Sequence, residues 1–183
     1  MSEMSPDPSE DIVPDGTFVF VTVGTDHHPF DRLVRWTDDW TARTGVACLV
    51  QTGTSSSPQR ARGTAFLPYP TMADAMRRAA AVVCHGGPAT IMLARQCGRV
   101  PIVVPRDPGL GEHVDGHQQK FAAWMAEKGQ IVLAQDAVEL ERRLDSAVAD
   151  DGALRVATAD GGTAAAVAKF TDLVEALLAR KGL

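Results

Sequence analysis

The segment FVFVTVGT, residues 18–25, decides the class of fold that this sequence predicts. Its first six residues are apolar or β-branched, which is typical of a strand covered on both faces of a parallel sheet. Gly24 ends the run, and a polar turn then leads into residues 30–43, where apolar residues recur at helical spacing. A buried strand, a glycine turn and a helix together indicate the first part of a βαβ unit.

The rest of the chain continues this alternation of strands and helices. We predict strands over residues 18–24, 46–51, 64–67, 81–84, 100–104 and 130–134. We predict helices over residues 30–43, 71–78, 88–98, 117–129, 136–148 and 163–180. Such alternation predicts right-handed crossovers and a parallel sheet. The expected fold class is therefore α/β, a doubly wound, Rossmann-like sheet of about six strands in the order 3-2-1-4-5-6.

Composition along the chain predicts four parts. We expect a disordered leader over residues 1–16, a Rossmann-like domain over 17–150, a linker over 151–162, and a C-terminal helix over 163–183 that packs on the domain or on a partner. The leader lacks the basic start and apolar middle of a signal peptide. No apolar stretch approaches the roughly 18 residues of a membrane span. We expect a cytoplasmic protein that reaches a membrane only through a partner.

The overall composition excludes two classes of protein. Of 183 residues, 45% are hydrophobic and 22% are charged, which is ordinary for a globular domain and excludes a wholly disordered chain. The 18 basic and 23 acidic residues give a net charge of −5, which argues against a nucleic-acid-binding protein.

The cysteines are widely spaced and form no CxxC pair, so we predict reduced thiols at Cys48, Cys84 and Cys97.

Three predicted loops concentrate the polar chemistry of the chain. The predicted strand order places the turns at residues 24–28 and 85–90 on opposite sides of one crevice, with the loop 106–117 beside the second turn. All five histidines lie in these loops, namely His27, His28, His85, His113 and His117. We therefore expect the functional site at this edge of the sheet.

The turn at residues 85–90 has the character of an anion or diphosphate site. Two glycines let backbone N–H groups approach a ligand closely, and Pro88 suits the first turn of a helix whose positive end points to the same place. The chain lacks the GxGxxG and GxxxxGK[ST] patterns of dinucleotide and P-loop sites. The alternative is a tight strand-to-helix turn that needs glycine for its shape alone.

The two remaining loops allow several kinds of chemistry. His27 and His28 could supply a general base or a phosphate contact, or they could be solvated turn residues. Gln118 and Gln119 suit neutral hydroxyl groups, as on a sugar. His113 and His117 have a spacing that could bind a metal, but HExxH is absent, and we expect no metal site. A metal-assisted hydrolase is the alternative, and it would combine the histidines with Asp26, Asp107 and Asp115.

Five segments together resemble glycosyltransferase family 28. They are FVFVTVGT at residues 18–25, FDRL at 30–33, CHGGPATI at 84–91, PIVVP at 101–105 and HQ at 117–118. In this order and spacing they resemble the nucleotide-sugar-binding C-terminal half of a GT-B enzyme, over about residues 17–150. The chain resembles the small soluble subunits of two-component UDP-N-acetylglucosamine transferases. In those enzymes a membrane-associated subunit supplies the other half and holds the lipid acceptor.

This resemblance implies a function and the partners that go with it. The chain would be the donor-binding subunit of an inverting glycosyltransferase, passing a sugar, N-acetylglucosamine, from a UDP-sugar to an acceptor on the partner. The partner would recruit it to the inner face of the membrane, and the isolated chain could form a homodimer. The resemblance implies no cofactor and no obligatory metal.

The resemblance also implies a role for each matched position. The donor diphosphate would contact Gly24, Thr25, His85, Gly86, Gly87, Ala89 and Thr90. The nucleotide base would lie against Leu67, Pro68 and Tyr69. The sugar would contact Arg106, Glu112, His113, His117, Gln118 and Gln119. From the residues themselves we expect the general base to be His27 or His28 in this chain, with a residue of the partner as the alternative.

One position departs from the family pattern. Family members usually carry an acidic residue in the helix after the glycine turn, where it holds the ribose hydroxyls, and this chain has Leu93 there. An apolar side chain accepts no hydrogen bond. This departure predicts weaker nucleotide binding, another donor, or a non-catalytic nucleotide-sugar-binding module.

Overall fold

Six short parallel strands form a single sheet. The computed structural model describes residues 12–156. The strands are β1 (Phe18–Thr22), β2 (Ala47–Gln51), β3 (Arg62–Thr64), β4 (Ala81–Cys84), β5 (Ile102–Val103) and β6 (Val132–Leu133). Their order is β3-β2-β1-β4-β5-β6, and every neighbouring pair is parallel. The predicted fold class and strand order are confirmed.

Five helices cover the two faces of the sheet. They are α1 (Asp31–Thr44), α2 (Tyr69–Arg78), α3 (Pro88–Gln96), α4 (His117–Glu127) and α5 (Ala137–Ala149). Apolar residues of α1 and α5 pack with Val19 and Val21 of β1 on one face. Residues of α2 and α3 pack with Phe18 and Phe20 on the other, where α3 and α4 also cover β4 and β5. Burial of β1 from both sides explains its continuous apolar sequence.

The third strand begins and ends earlier than its predicted range of 64–67. Residues 62–64 pair with β2, after which the backbone N–H groups of Thr52 and Gly53 donate to the carbonyls of Thr64 and Ala65. Leu67 instead packs beneath α2 in the apolar cluster on that face. Residues 62–64 therefore form a short strand, and Leu67 contributes to the core instead of to the sheet.

Parts of the predicted leader and linker pack on the domain. Val13 is buried with the cluster around Phe18, so residues 12–16 do not belong to a disordered leader. The N–H of Val100 donates to the carbonyl of Leu154, and that of Val156 to Gly98, so residues 151–156 are also attached. Residues 1–11 and the predicted helix 163–180 lie outside the described residues.

Two further sequence predictions can be compared with the described residues. All three cysteines are free thiols, as predicted. Burial raises the pKa of the Cys48 and Cys84 thiols to about 12, and Cys97 is half-buried. Within residues 12–156, no helix combines the length and the hydropathy that crossing a bilayer requires.

Candidate functional site

A crevice of about 360 Å³ opens at the carboxyl ends of β1, β2 and β4. This is the switch point where the strand order reverses, as predicted. Its walls are formed by Thr22, Gly24, Thr25, Gln51, Met72, His85, Gly87, Pro88, Ala89 and Thr90. Six of the seven residues predicted to contact a diphosphate are among them. The seventh, Gly86, is buried behind the turn, against Gln118.

The first turns of α2 and α3 flank this crevice, through Met72 on one side and residues 88–90 on the other. Neither helix has a side-chain cap or an acidic residue in its first turn. By contrast, Asp136 caps α5 and accepts a hydrogen bond from the N–H of Glu139 at 2.8 Å. The free N–H groups of an uncapped helix carry partial positive charge. The N–H of Met72 already donates to the carbonyl of Pro68, so the free N–H groups beside the crevice are those of α3, and this helix end favours an anionic ligand.

His85 occupies the space between the two glycine turns. A Cβ atom at Gly24 would lie 2.6 Å from His85 Cε1, and one at Gly87 would overlap His85 Nε2. Gly24 also has a φ of +82°, a conformation that favours glycine. The imidazole ring therefore requires both glycines, whereas the sequence predicted that they serve the approach of a ligand or the shape of a tight turn.

The environment of His85 keeps its imidazole neutral. Burial, together with the nearby Arg106 cation, lowers the pKa of His85 to about 4. Its Nδ1 is buried without a partner among the described residues, whereas Nε2 lies between the two glycines that line the crevice. A buried N–H without an acceptor is costly, so the proton belongs on Nε2. His85 is thus a neutral donor at the crevice.

Thr22 and Gln51 form the floor of the crevice. They pair in register on β1 and β2, and the Thr22 hydroxyl donates to Gln51 Oε1 at 2.6 Å. The Thr22 oxygen also accepts from the N–H of Gly24 at 3.3 Å. The sequence analysis missed both residues. The available signal was a polar residue at the end of each of two adjacent, otherwise apolar strands.

Arg106 does not have the role that the sequence analysis assigned to it. It is fully buried, and its guanidinium donates to the carbonyls of Val23 at 2.7 Å, His28 at 2.7 Å and Glu112 at 2.9 Å. The guanidinium also lies 4.9 Å from the centre of the Phe30 ring. These contacts hold the first and third loops together, so Arg106 is not available to a sugar.

Glu112 is likewise a structural residue. Its carboxylate accepts hydrogen bonds from Arg32 at 2.9 and 2.8 Å, and one of its oxygens accepts from the N–H of Asp107 at 2.8 Å. Arg32 also donates to the carbonyl of Pro105 at 3.1 Å. Glu112 is buried and its oxygens are occupied, so the prediction that it contacts a sugar is wrong.

The remaining histidines form a cluster with two aspartates beside the crevice. Asp26 Oδ1 accepts from the N–H of His28 at 2.8 Å and lies 2.7 Å from His28 Nδ1. Its other oxygen lies 3.8 Å from Nε2 of His113. The His113 ring is 4.8 Å from that of His117, which pairs with Asp115. The side chain of His27 is 83% exposed, so the structure distinguishes the two adjacent histidines.

The acidity of Asp26 follows from these contacts. The backbone N–H of His28 lowers the pKa of Asp26 to about 2, aided by the His28 side chain and the Arg106 cation and opposed by partial burial. Asp26 is therefore ionised over the whole physiological range and can hold His28 in one orientation.

We expect Asp26→Asn to flatten the acid limb of the stability curve. An unfolded aspartate titrates near 3.9, so the stability that the Asp26 carboxylate contributes is present above about pH 4 and is lost as the pH falls towards 2. After allowance for solvent screening, this contribution is about 1–2 kcal/mol. Urea unfolding at several pH values measures it. Asp39→Asn, on the exposed side of α1, is the control, and identical acid limbs for the wild type and Asp26→Asn would contradict the assignment.

Two groups in this cluster have the composition of a metal site. Asp26, His27 and His28 bring three ligand atoms within 4.8 Å of one another, and so do His113, Asp115 and His117. Imidazole and carboxylate are ligands that suit Zn²⁺. In each group, however, an aspartate already contacts a histidine Nδ1. Asp107 belongs to neither group, and its side chain accepts from the N–H of Gly109 instead.

The two consecutive glutamines lie in different places. Gln118 is buried against Gly86, and its Oε1 has no partner among the described residues. Gln119 is exposed and lines a second cavity of about 330 Å³ together with Arg32, Pro105, Asp107, Leu133 and Gln135. Only Gln118 therefore lies next to the glycine turn.

The residues predicted to lie against a nucleotide base are not in the crevice wall. Leu67 is 2% exposed in the apolar core, so its side chain does not reach a ligand. Pro68 and Tyr69 are exposed at the start of α2, and neither lines the crevice. Met72, one turn later, does. Leu93 packs against the same cluster as Leu67 and is not among the residues that line the crevice.

A doubly wound parallel sheet with a crevice at its switch point is the architecture of nucleotide-binding α/β domains. The family model described as "Glycosyltransferase family 28 C-terminal domain" matches residues 18–177. The chain belongs to this family. No curated protein sequence matches it significantly.

Solved structures of glycosyltransferases share the fold. The chain is 16% identical to CalG4, the calicheamicin glycosyltransferase, with a TM-score of 0.58, covering 91% of this chain and 43% of CalG4. It is 18% identical to MurG of Acinetobacter baumannii, with a TM-score of 0.54, covering 89% of this chain and 48% of MurG. At these identities the likeness establishes only the type of fold, which is that of GT-B glycosyltransferases. The chain spans less than half the length of either protein.

Proposed function

We propose that this chain is the donor-binding part of an inverting glycosyltransferase whose crevice binds the diphosphate of a UDP-sugar. The observation that carries the proposal is the crevice at the switch point of the sheet, which the uncapped N-terminus of α3 lines through residues 88–90. Membership in the glycosyltransferase family supports sugar transfer as the chemistry. We take N-acetylglucosamine as the sugar, following the resemblance to two-component transferases.

The crevice is suited to a departing diphosphate without a metal ion. Its donors are the N–H groups at the start of α3, Nε2 of His85 and the hydroxyl groups of Thr25 and Thr90. None of the lining residues is a lysine, an arginine or a carboxylate. Fixed N–H dipoles that face developing negative charge stabilise the transition state without reorganisation. Gln118, with its unpartnered Oε1 behind the same turn, is the best placed of the predicted sugar-contacting residues.

Transfer then proceeds by direct displacement at the anomeric carbon. The acceptor hydroxyl oxygen forms a bond to that carbon as the bond to the diphosphate oxygen breaks, and UDP leaves. The hydroxyl proton passes to a general base. We assign this base to His28, because Asp26 accepts from its Nδ1 and leaves Nε2 as the proton acceptor. His113 and His117 extend the polar cluster next to it.

We expect His28→Ala to lower kcat of sugar transfer by about 10²- to 10⁴-fold. His27→Ala is the matched control, and its exposed side chain predicts less than about a threefold change. Both variants should bind UDP as the wild type does, because neither histidine lines the crevice. Steady-state transfer with the reconstituted partner gives kcat. Full activity of His28→Ala would contradict this assignment and indicate that the partner supplies the general base.

We propose that a membrane-associated subunit supplies the acceptor-binding half at the cytoplasmic face of the membrane. The resemblance to two-component transferases supports this proposal, and the chain spans less than half the length of CalG4 or MurG. Large apolar side chains are exposed on the segments after β3 and β5, at the edge of the sheet that carries the crevice, namely Phe66, Tyr69, Leu110 and Val114. In the absence of the partner, the same surface would support a homodimer.

Isothermal titration of the purified chain tests the donor assignment. The ligands are UDP, UDP-N-acetylglucosamine, UDP-glucose and GDP-mannose, each with and without EDTA. We expect saturable, EDTA-insensitive binding of one UDP-sugar. Binding that requires a divalent metal would favour the metal-assisted hydrolase built on the histidine cluster. Nucleotide binding without transfer in the presence of the partner would favour a non-catalytic module, which the lack of a carboxylate in the crevice lining would then explain.

A further inference from the structure

The floor of the crevice holds a hydrogen-bond donor, Gln51 Nε2, that is unpaired in the part of the chain that the structure describes. Gln51 is 1% exposed, and its Oε1 accepts from the hydroxyl of Thr22. Its Nε2 has no partner among the described residues. Buried amide groups are nearly always paired, because an unpaired donor destabilises the folded state. The position of Gln51 therefore calls for a functional reason.

In the structure the oxygen of this amide is the paired atom and the nitrogen is the free one. The N–H of Gly24 donates to Thr22 Oγ1, and the Thr22 hydroxyl in turn donates to Gln51 Oε1. These two hydrogen bonds orient the amide, so its oxygen has a partner and its NH₂ group has none among the described residues. Thr22 is thus a positioning residue for Gln51. Both side chains line the crevice on the face of the sheet that α2 and α3 cover.

The chemistry of the crevice narrows the class of group that the free NH₂ would meet. An NH₂ group only donates, so its partner must be an acceptor. The crevice offers further donors, namely the N–H groups at the start of α3, Nε2 of His85 and the hydroxyl groups of Thr25 and Thr90. A ligand that satisfies all of them is rich in acceptors and carries negative charge.

We propose that Nε2 of Gln51 donates a hydrogen bond to an oxygen of the diphosphate bound in the crevice. This inference rests on the proposed function and adds a ligand-contacting residue at the end of β2, on the side of β1 opposite α3. The diphosphate is then held from two directions, by the helix N-terminus on one side and the floor amide on the other. The loss of stability from the unpaired amide in the free protein is recovered when the ligand binds.

The test compares three variants in titrations with UDP and with inorganic pyrophosphate. Gln51→Met removes the whole amide, and Gln51→Glu keeps an acceptor for the Thr22 hydroxyl while removing the N–H donor. We expect both to raise Kd for UDP and for pyrophosphate by about 10- to 100-fold, the range for hydrogen bonds to charged groups. Gln96→Met, an exposed amide at the end of α3, is the control and should bind as the wild type does.

Thermal unfolding distinguishes ligand contact from a merely structural role. Gln51→Met removes the unpaired Nε2 donor but leaves the buried Thr22 hydroxyl without its acceptor, so it should change Tm little in the absence of ligand. Thr22→Val should lower Tm, because it leaves Gln51 Oε1 unpaired, and should change Kd less than Gln51→Met does. Unchanged Kd values in Gln51→Met and Gln51→Glu would overturn this inference and leave the proposed function standing. Failure of the wild type to bind either ligand would overturn both.

Discussion

Gly24→Ala is expected to abolish diphosphate binding in the crevice and to lower the free energy of unfolding by about 2–4 kcal/mol. The left-handed conformation, with a φ of +82°, accounts for about 1–2 kcal/mol of this loss. The remainder arises because the new Cβ would lie 2.6 Å from Cε1 of His85. The ring cannot move away easily, since Gly87 lies against its Nε2 edge. Moving it would displace the turn that begins α3 and with it the anion site.

Two controls separate backbone strain from this clash. Gly98 has a φ of +80°, and a Cβ there would meet nothing within 4 Å, so Gly98→Ala measures the strain alone. In a His85→Ala background the clash disappears, so Gly24→Ala should then cost no more stability than Gly98→Ala. Urea unfolding gives each free energy. Equal losses for Gly24→Ala and Gly98→Ala in the otherwise wild-type chain would show that the ring does not require the glycine.

Arg106→Met is expected to lower the free energy of unfolding by about 3–5 kcal/mol, because three carbonyls lose their donor and each unpaired buried group costs about 1–3 kcal/mol. The substitution keeps much of the aliphatic stem but leaves the carbonyls of Val23, His28 and Glu112 without their donor. Because these carbonyls belong to the first and third loops, the His28–Asp26 pair should lose its fixed position as well. Hydrogen exchange of residues 24–28 would report that loss.

The matched control for this prediction is Arg35→Met on the exposed side of α1. It makes the same chemical change without a buried partner, and it should alter the free energy of unfolding by less than about 0.5 kcal/mol. Arg106→Lys keeps the charge but not the planar fork, so an intermediate loss is expected. Urea unfolding of the three variants measures these differences. Equal free energies of unfolding for Arg106→Met and Arg35→Met would show that Arg106 does not hold the two loops together.

The sequence was sufficient for the fold because the relevant signals are local. The apolar run that begins at Phe18, the glycine at its end and the helical spacing after it each lie within one element. Parallel topology then brought the turns at residues 24–28 and 85–90 together without any knowledge of side-chain contacts. The same rule located the crevice and most of its predicted lining.

The errors concern residues whose partners are distant in the chain. Arg106 looks like a ligand-binding cation in a polar loop, but its contact with Val23 spans 83 positions. Glu112 pairs with Arg32 across 80 positions. Gln51 was missed for the complementary reason, because its importance lies in a bond to Thr22 on the neighbouring strand. Such pairings depend on strand register and loop packing, which local patterns do not encode.

The enclosure of His85 by Gly24 and Gly87 also has a consequence for how this site can change over generations. Each glycine can acquire a side chain only after the imidazole has been replaced by something smaller, whereas replacement of the imidazole meets no such obstacle. The order of substitutions is therefore constrained, and paths that begin at a glycine pass through a poorly folded intermediate. A lineage that once loses the histidine can fill both glycines without a clash, with only the left-handed backbone of Gly24 still opposing the change, and recovery of the original site would then need three changes rather than one.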